Sequence, residues 1–313
     1  MRGCTLLYIG ELSAAHTHLQ QATALYDPRE HGSHTFLYGG HDPGVCCFSH
    51  DAFTLWLRGY PNQAEKSMQQ ALRLAQELSH PVNQALALYY AAWFHQYRQE
   101  GQIVQERAES CMTLCTEQGL PFSPLVTMLR GWALAKQGAG EKGIAQIRQG
   151  LAVCQAAGSG LWRPYYLALL AEAYGKTEQA EEGLIALVEA LMLAEKTGER
   201  WYEAELYRLK GTLTLQSKVQ SPRSKVEEEA AGYFLKAIEI ACKQQAKSLE
   251  LRAVTSLALL WQSQGKRNEA HQLLSEVYHW FTEGFDTKDL QEAKALLEEL
   301  AHSSSSSSKS LAT

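Results

Sequence analysis

Six side chains of metal-ligating type crowd into residues 31–50: His31, His34, His41, Cys46, Cys47 and His50. Imidazole nitrogen and thiolate sulfur are the donors a zinc ion takes. Their spacing argues against a zinc site. No CxxC pairs with an HxxxH, and the adjacent Cys46 and Cys47 are poorly placed to share one tetrahedral ion. The stretch reads as an ordered loop packed over the first helices, and no metal ligand or other cofactor is assigned. His16 and His18 fall on different sides of one helix and read as surface residues.

Two stretches imitate a phosphate loop. Gly175-Lys176-Thr177 ends like one, but the loop also needs a glycine five positions ahead of the glycine of that pair, so that its N–H groups curl round phosphate. Leu170 stands there, inside an apolar helix. Gly138 and Gly143 have the right separation, yet Ile144-Ala145 follows instead of the Lys and hydroxyl residue. Gly158-Ser159-Gly160 lacks the earlier glycine of a nucleophile elbow, since Ala156 and Ala157 precede it. There is no HExxH and no recognisable metal-binding carboxylate pair of the cyclase type. The chain is expected to be non-enzymatic.

The elements that carry these residues read as helices throughout. The 313 residues are 45% hydrophobic and 20% charged, which excludes disorder for most of the chain. Eight prolines and abundant Ala, Leu, Gln and Glu favour an all-α protein. A formal net charge of −5 excludes a generic cationic nucleic-acid binder. The charge-free stretch from Leu78 to Tyr97 is interrupted by Ser, His, Pro, Asn and Gln, so it reads as a buried helix and not as a membrane span. No secretory signal is visible, because Leu6–Ile9 is short and runs into Gly10 and Glu11. Seven cysteines without regular spacing read as reduced thiols, with Cys111, Cys154 and Cys242 on apolar helical faces, which predicts a cytoplasmic protein.

The helices repeat with a period near forty residues. Small residues recur at a first place in one helix: Ala52, Ala92, Gly131, Ala171, Gly211 and Ala258. A second place holds Ala64, Val104, Gly143, Gly183, Ala230 and Ala270, and a third, seven residues on, holds Ala71, Cys111, Gly150, Ala190, Ala237 and Val277. Two helices approach closely only where side chains are small, and a seven-residue step returns to nearly the same helix face. This skeleton resembles that of the tetratricopeptide repeat, whose helix pairs stack into a right-handed α-solenoid. The longer period predicts helices of about five turns.

The expected organisation is a partial first repeat at 1–26, a His/Gly/Pro-rich loop at 27–45, and helical repeats over 46–285 with an insertion at 217–225. A capping helix at 286–301 and a disordered Ser-rich tail at 302–313 complete it. Because Met1–Ile9 is short for a first helix, the chain is expected to begin inside a repeat, as a C-terminal fragment would.

Several runs extend the resemblance. They are QAKSLELR at 245–252, LWQSQGKR at 260–267, WFTEGFD at 280–286, LQEAKALLEEL at 290–300, LYDP at 25–28 with DPG at 42–44, and GERWYEAELYRLKG at 198–211. Over roughly residues 5 to 301 the chain resembles the C-terminal tetratricopeptide region of large bacterial signalling proteins. In that family a class III adenylate/guanylate cyclase-like domain, or another output module, precedes a signalling ATPase of the STAND type, and the helical repeats come last. The resemblance implies a sensing or partner-binding role next to upstream ATPase and output domains. It transfers no catalytic residue.

In tetratricopeptide stacks the first helix of each pair lines the concave surface. Counting from the first small place puts Phe53, Trp56, Tyr89, Trp93, Tyr97, Met128, Trp132 and Tyr165 on that side, then Lys136, Glu172, Lys176, Glu205, Arg208 and Arg252. Aromatic and Arg side chains are the usual anchors of binding energy. Phe53, Trp56, Tyr89, Trp93, Tyr97, Trp132, Tyr165, Arg208 and Arg252 are therefore the expected groove residues, for a protein, a peptide or a small effector. The competing reading of each aromatic is packing between neighbouring first helices. Trp261 is expected on the packed side of its helix. A free-standing scaffold and a metal-sensing module are the alternatives to a signalling arm. Neither nucleic acid nor membrane is an expected partner.

Overall fold

The computed structural model of the chain describes residues 2–31, 40–218 and 221–302, and among these residues it holds helices and turns with no strand. His34, the middle of the 27–45 loop, two residues of the 217–225 insertion and the serine run at 303–308 lie outside the described residues. The first pair is α1 (Arg2–Tyr8) and α2 (Leu12–Leu25), followed by the short α3 (Pro28–His31). Then come α4 (Pro43–Leu57) with α5 (Pro61–Leu78), α6 (Pro81–Tyr97) with α7 (Gly101–Gln118), and α8 (Ser123–Lys136) with α9 (Gly140–Ala156). The series continues with α10 (Arg163–Lys176) and α11 (Ala180–Thr197), α12 (Glu203–Gln216) and α13 (Arg223–Gln244), and α14 (Lys247–Ser263) and α15 (Arg267–Tyr278). Helix α16 (Lys288–His302) closes the stack and buries Leu290, Ala293, Leu296, Leu297 and Leu300 against it.

Local chemistry sets the boundaries. Proline opens α4, α5 and α6, where the missing N–H costs nothing. The Asp42 carboxylate accepts from the N–H groups of Gly44 at 2.8 Å and Val45 at 3.1 Å, capping α4. Gly119 and Gly198 close α7 and α11 in the left-handed conformation. The second helices α5, α7 and α11 each run 18 residues, or five turns.

The three small places meet where the repeat requires. A methyl on Gly131 would stand 2.7 Å from the Gly143 carbonyl oxygen, and one on Gly143 would collide with the Gly131 carbonyl and lie 2.9 Å from the Ala135 nitrogen. Backbone thus meets backbone at the α8–α9 crossing, and only glycine fits there. At the next two crossings a methyl on Gly183 would approach the Ala171 carbonyl to 3.2 Å, and one on Gly211 the Ala230 carbonyl to 3.1 Å. Each pair joins a first-place residue to its second-place partner, so the register read from spacing is the packing register.

The winding is tight enough for distant repeats to touch. The Tyr8 carbonyl accepts from the N–H groups of Arg200 and Trp201 at 2.9 and 3.3 Å. The Ser248 hydroxyl donates to the Trp56 carbonyl at 2.5 Å, and Arg252 donates to the Tyr97 carbonyl. Glu283 accepts from the N–H groups of Asn62 and Gln63. The first helices of early and late pairs therefore face one another across the axis of the coil.

Candidate binding cleft

The tight winding decides which of the expected groove residues reach solvent. Phe53, Trp56, Tyr89, Trp93, Tyr97, Trp132 and Tyr165 are all at most 2% exposed. They do point inward, but the inside is full. Trp93 stacks on Tyr165 with ring centroids 4.6 Å apart and meets Phe53 at 5.2 Å and Trp162 edge-on at 5.3 Å. Trp56 stacks on Tyr97 at 4.9 Å. Trp201, ahead of α12, closes the cluster from the far side at 5.5 Å from Tyr165. Three hydroxyls pair internally: those of Tyr89 and Tyr166 bond at 2.7 Å, and that of Tyr165 donates to Gln96 Oε1 at 2.9 Å, whereas the buried Trp93 and Trp162 indole nitrogens have no hydrogen-bond partner. Sequence reasoning that puts these aromatics in an open groove is corrected here, since facing repeats come close enough to bury them as a second core. The two tryptophans used to separate the faces also exchange roles: Trp93 is fully buried, whereas Trp261 is half-buried.

The charged half of the same surface is open. A cleft of about 510 Å³ lies across α8, α10, α12, α14 and α16. Its lining repeats one register: residues three before, one after and five after the first small place. Helix α12 supplies Arg208, Thr212 and Gln216; α14 supplies Thr255, Leu259 and Ser263; α10 supplies Glu172 and Lys176; and α8 supplies Lys136. In α6 the same three positions are Tyr89, Trp93 and Tyr97. One helical face is a buried aromatic wall early in the chain and a polar cleft wall late in it.

Charges on the floor are paired. Arg208 grips the buried Glu205 carboxylate with two bonds, Nε to Oε2 at 2.9 Å and Nη2 to Oε1 at 2.7 Å. Arg252 donates to Asp289 Oδ2 at 2.8 Å, stands 3.6 Å from Glu205 Oε1, and lies over the Trp56 ring at 4.8 Å. Glu172 accepts from the Trp132 indole at 2.8 Å and sits 3.8 Å from the Lys136 ammonium. Burial pushes the Glu205 carboxyl up, but Arg208 and then Arg252 outweigh it and hold it below its ordinary value. For Asp289 burial wins over Arg252, and the carboxyl is raised. Burial also draws Lys136 down, against the pull of Glu172.

Lys176 and Lys288 are exposed at the mouth. Six cations line the cleft (Lys136, Lys176, Arg208, Arg223, Arg252 and Lys288) against three carboxylates (Glu172, Asp289 and Glu292), in a chain of net charge −5. Sequence reasoning missed Lys288 and Asp289 because they stand on the capping helix, outside the repeat register.

Of the described candidate metal ligands, Cys46 and His50 come together. His31 stacks on Tyr26 with centroids 6.0 Å apart, and Cys47 lies apart from Cys46 and His50. Cys46 and His50, one turn apart on α4, meet Cys4 of α1, and the three donor atoms lie within 4.8 Å of one another. The Cys4 thiol is held low, at about 4, by its hydrogen bond with Cys46 and by His50, while the Cys46 thiol is pushed up by the same bond and by burial. Cys4 stands 42 residues from Cys46, and no local spacing announces it. Cys242, expected on an apolar face, is exposed.

No family model matches the chain. An uncharacterized protein of Rhizobium meliloti (strain 1021) is 25% identical over 240 residues; the match takes in 76% of this chain, which spans only 23% of that protein's length. The apo form of RapI superposes with a TM-score of 0.52 at 14% identity, over 95% of this chain and 97% of RapI. The apo form of the quorum sensor NprR from B. thuringiensis gives 0.51 at 13% identity, over 81% of this chain and 70% of NprR. The fold is that of tetratricopeptide-like helical-repeat solenoids. No described helix is long and apolar enough to cross a membrane.

Proposed function

We propose that the chain is a non-catalytic partner-binding module whose charged cleft takes an extended acidic segment of a protein or peptide. The observation that carries this reading is the pair of exposed lysines at the mouth, Lys176 and Lys288, the latter only 3.6 Å from Glu292 Oε1, while the other lining cations are each met by a carboxylate of the protein. The floor charges are already matched by Glu205, Glu172 and Asp289, so an incoming carboxylate meets the rim lysines first. Thr212, Thr255 and Ser256 offer neutral hydrogen bonds beneath them. Rim charges act mainly on the association rate and its salt dependence.

Acidic peptides are expected to bind the purified chain, with an affinity that falls as salt rises. The double substitution Lys176→Glu with Lys288→Glu should weaken that binding at least about tenfold, as the loss of roughly 1.4 kcal/mol implies. A basic peptide of equal length binding as well as the acidic one, or an affinity unmoved by the double substitution, would overturn the assignment.

The module fits best as the repeat arm of a longer signalling protein with ATPase and cyclase-like or other output domains. Two observations support this: the resemblance over residues 5 to 301, and the small share of the Rhizobium meliloti protein that the chain spans. NprR, a quorum sensor, supplies the precedent of a sensor with this fold. In the full-length protein, the same rim substitutions should alter ATP turnover in response to the acidic partner.

A further inference from the structure

The described chain holds a cluster that the binding cleft does not use. Cys4 and Tyr8 lie one turn apart on α1, and Cys46 and His50 one turn apart on α4, so two helix faces bring two thiols, an imidazole and a phenol together. Cys46 Sγ stands 3.5 Å from His50 Nδ1. The Tyr8 hydroxyl lies 2.8 Å from His50 Nε2, and Nδ1 donates to the Cys46 carbonyl at 2.8 Å. Tyr90 meets the imidazole edge-on at 5.1 Å and Phe53 packs on it at 5.8 Å. His50 is 3% exposed, and both thiols are half-buried.

We propose that Cys4, Cys46 and His50 form a three-ligand zinc site with its fourth position open to an external ligand. Donors sharing one tetrahedral zinc stand roughly 3.5–3.8 Å apart, from bonds of about 2.3 Å to sulfur and 2.1 Å to nitrogen. The Cys46–His50 separation already meets that, and the other donors lie within 4.8 Å, inside the reach of a cysteine side-chain rotation. Two thiolates and one divalent cation sum to zero charge, the arrangement a largely buried site tolerates best. On binding, the thiol protons leave to solvent. The Nδ1–H bond to the Cys46 carbonyl breaks as the imidazole turns toward the ion; Nδ1 loses its proton to solvent, Nε2 takes one up, and Nε2–H then donates to a Tyr8 hydroxyl that has changed from donor to acceptor. This is the outer hydrogen bond that orients a metal-bound histidine. Cys47 lies outside the cluster. The site joins α1 to the first full repeat, and none of its residues lines the cleft.

The test uses the reduced, chelator-treated full chain with Co²⁺ as the spectroscopic probe and zinc as the competitor. One Co²⁺ per chain should give a thiolate-to-cobalt charge-transfer band that zinc displaces. Cys4→Ser and Cys46→Ser should each weaken binding more than about a hundredfold, Tyr8→Phe about tenfold as an outer-shell loss, and Cys47→Ser not at all. Should a serine variant fail to fold, alkylation of the wild-type chain followed by mass spectrometry decides the matter. Zinc must protect Cys4 and Cys46 while leaving Cys242 reactive. No band in the wild-type chain, a band that survives Cys4→Ser in a folded variant, or equal alkylation with and without zinc would each overturn the assignment.

Discussion

The same substitution should act with opposite sign at two glycines, and the sign is set by whether backbone stands within reach of a new methyl. Gly143 lies inside α9 at its crossing with α8, and Gly232 lies inside α13 with nothing within 4 Å of a methyl placed on it. Glycine in a helix interior costs about 1 kcal/mol relative to alanine, so Gly232→Ala should stabilise the protein by about that amount. Gly143→Ala gains the same propensity but drives a methyl into the Gly131 carbonyl and to 2.9 Å from the Ala135 nitrogen. Neither obstacle is a flexible side-chain end, so α8 and α9 must separate. Overpacking of this kind costs ~1–3 kcal/mol, and backbone on both sides places Gly143 near the top of the range. The expected net loss is about 2 kcal/mol, and the gap between the two variants about 3 kcal/mol. Urea denaturation followed by circular dichroism reads it as midpoints displaced to opposite sides of wild type, separated by roughly 1 M if m is about 3 kcal/mol/M. A Gly143→Ala protein as stable as wild type would refute the close crossing and the forty-residue register with it.

Other outcomes follow from the same packing. Trp93→Ala should cost ~3–5 kcal/mol by leaving a cavity in the aromatic cluster, whereas the half-buried Trp261→Ala should cost less than about 2 kcal/mol; thermal denaturation ranks the two, and the reverse order would refute the burial pattern. The Glu205 carboxyl is held below its ordinary value, so its contribution to stability is fully present above the unfolded value of about 4.3 and is lost as pH falls through the lower folded value. Glu205→Gln should therefore cost about 3 kcal/mol at neutral pH, the low end for removing one partner of a buried pair, and the deficit should shrink in acid; a deficit constant from pH 7 to pH 3 would sink the argument. The isolated chain should turn over no ATP, and a turnover rate that falls with Lys176→Ala would contradict the absence of a phosphate loop at Gly175-Lys176-Thr177.

What was legible in the sequence is what local spacing controls. The positions Gly131, Gly143, Ala171 and Gly183 carry their own explanation, because a helix crossing needs a small residue on both partners and helical geometry fixes the steps between them. The helix stops at Gly119 and Gly198 and the starts at Pro61 and Pro124 are equally local. Curvature is not. It is the sum of small rotations over seven successive pairs, and no single spacing encodes it. The burial of Trp93 depends on Tyr165 and Trp201, 72 and 108 residues away in sequence. A wider coil would have left the same aromatics facing solvent.

Composition along one register did hold the missing information. The three cleft-facing positions read Tyr89, Trp93 and Tyr97 in α6, and Arg208, Thr212 and Gln216 in α12. Large apolar rings all along a concave face would expose several hundred Å² of apolar surface, which monomeric proteins rarely do. A run of aromatics confined to half the repeats is therefore better read as the place where the coil meets itself. The change to charged and hydroxyl residues marks where it opens. Arg252 stands at that boundary, with its guanidinium over Trp56 on one side and bonded to Asp289 on the other. Cys4 lacked even this kind of signal. Its partners lie on the next helix pair, and only the packing of α1 on α4 brings its sulfur to Cys46 and His50.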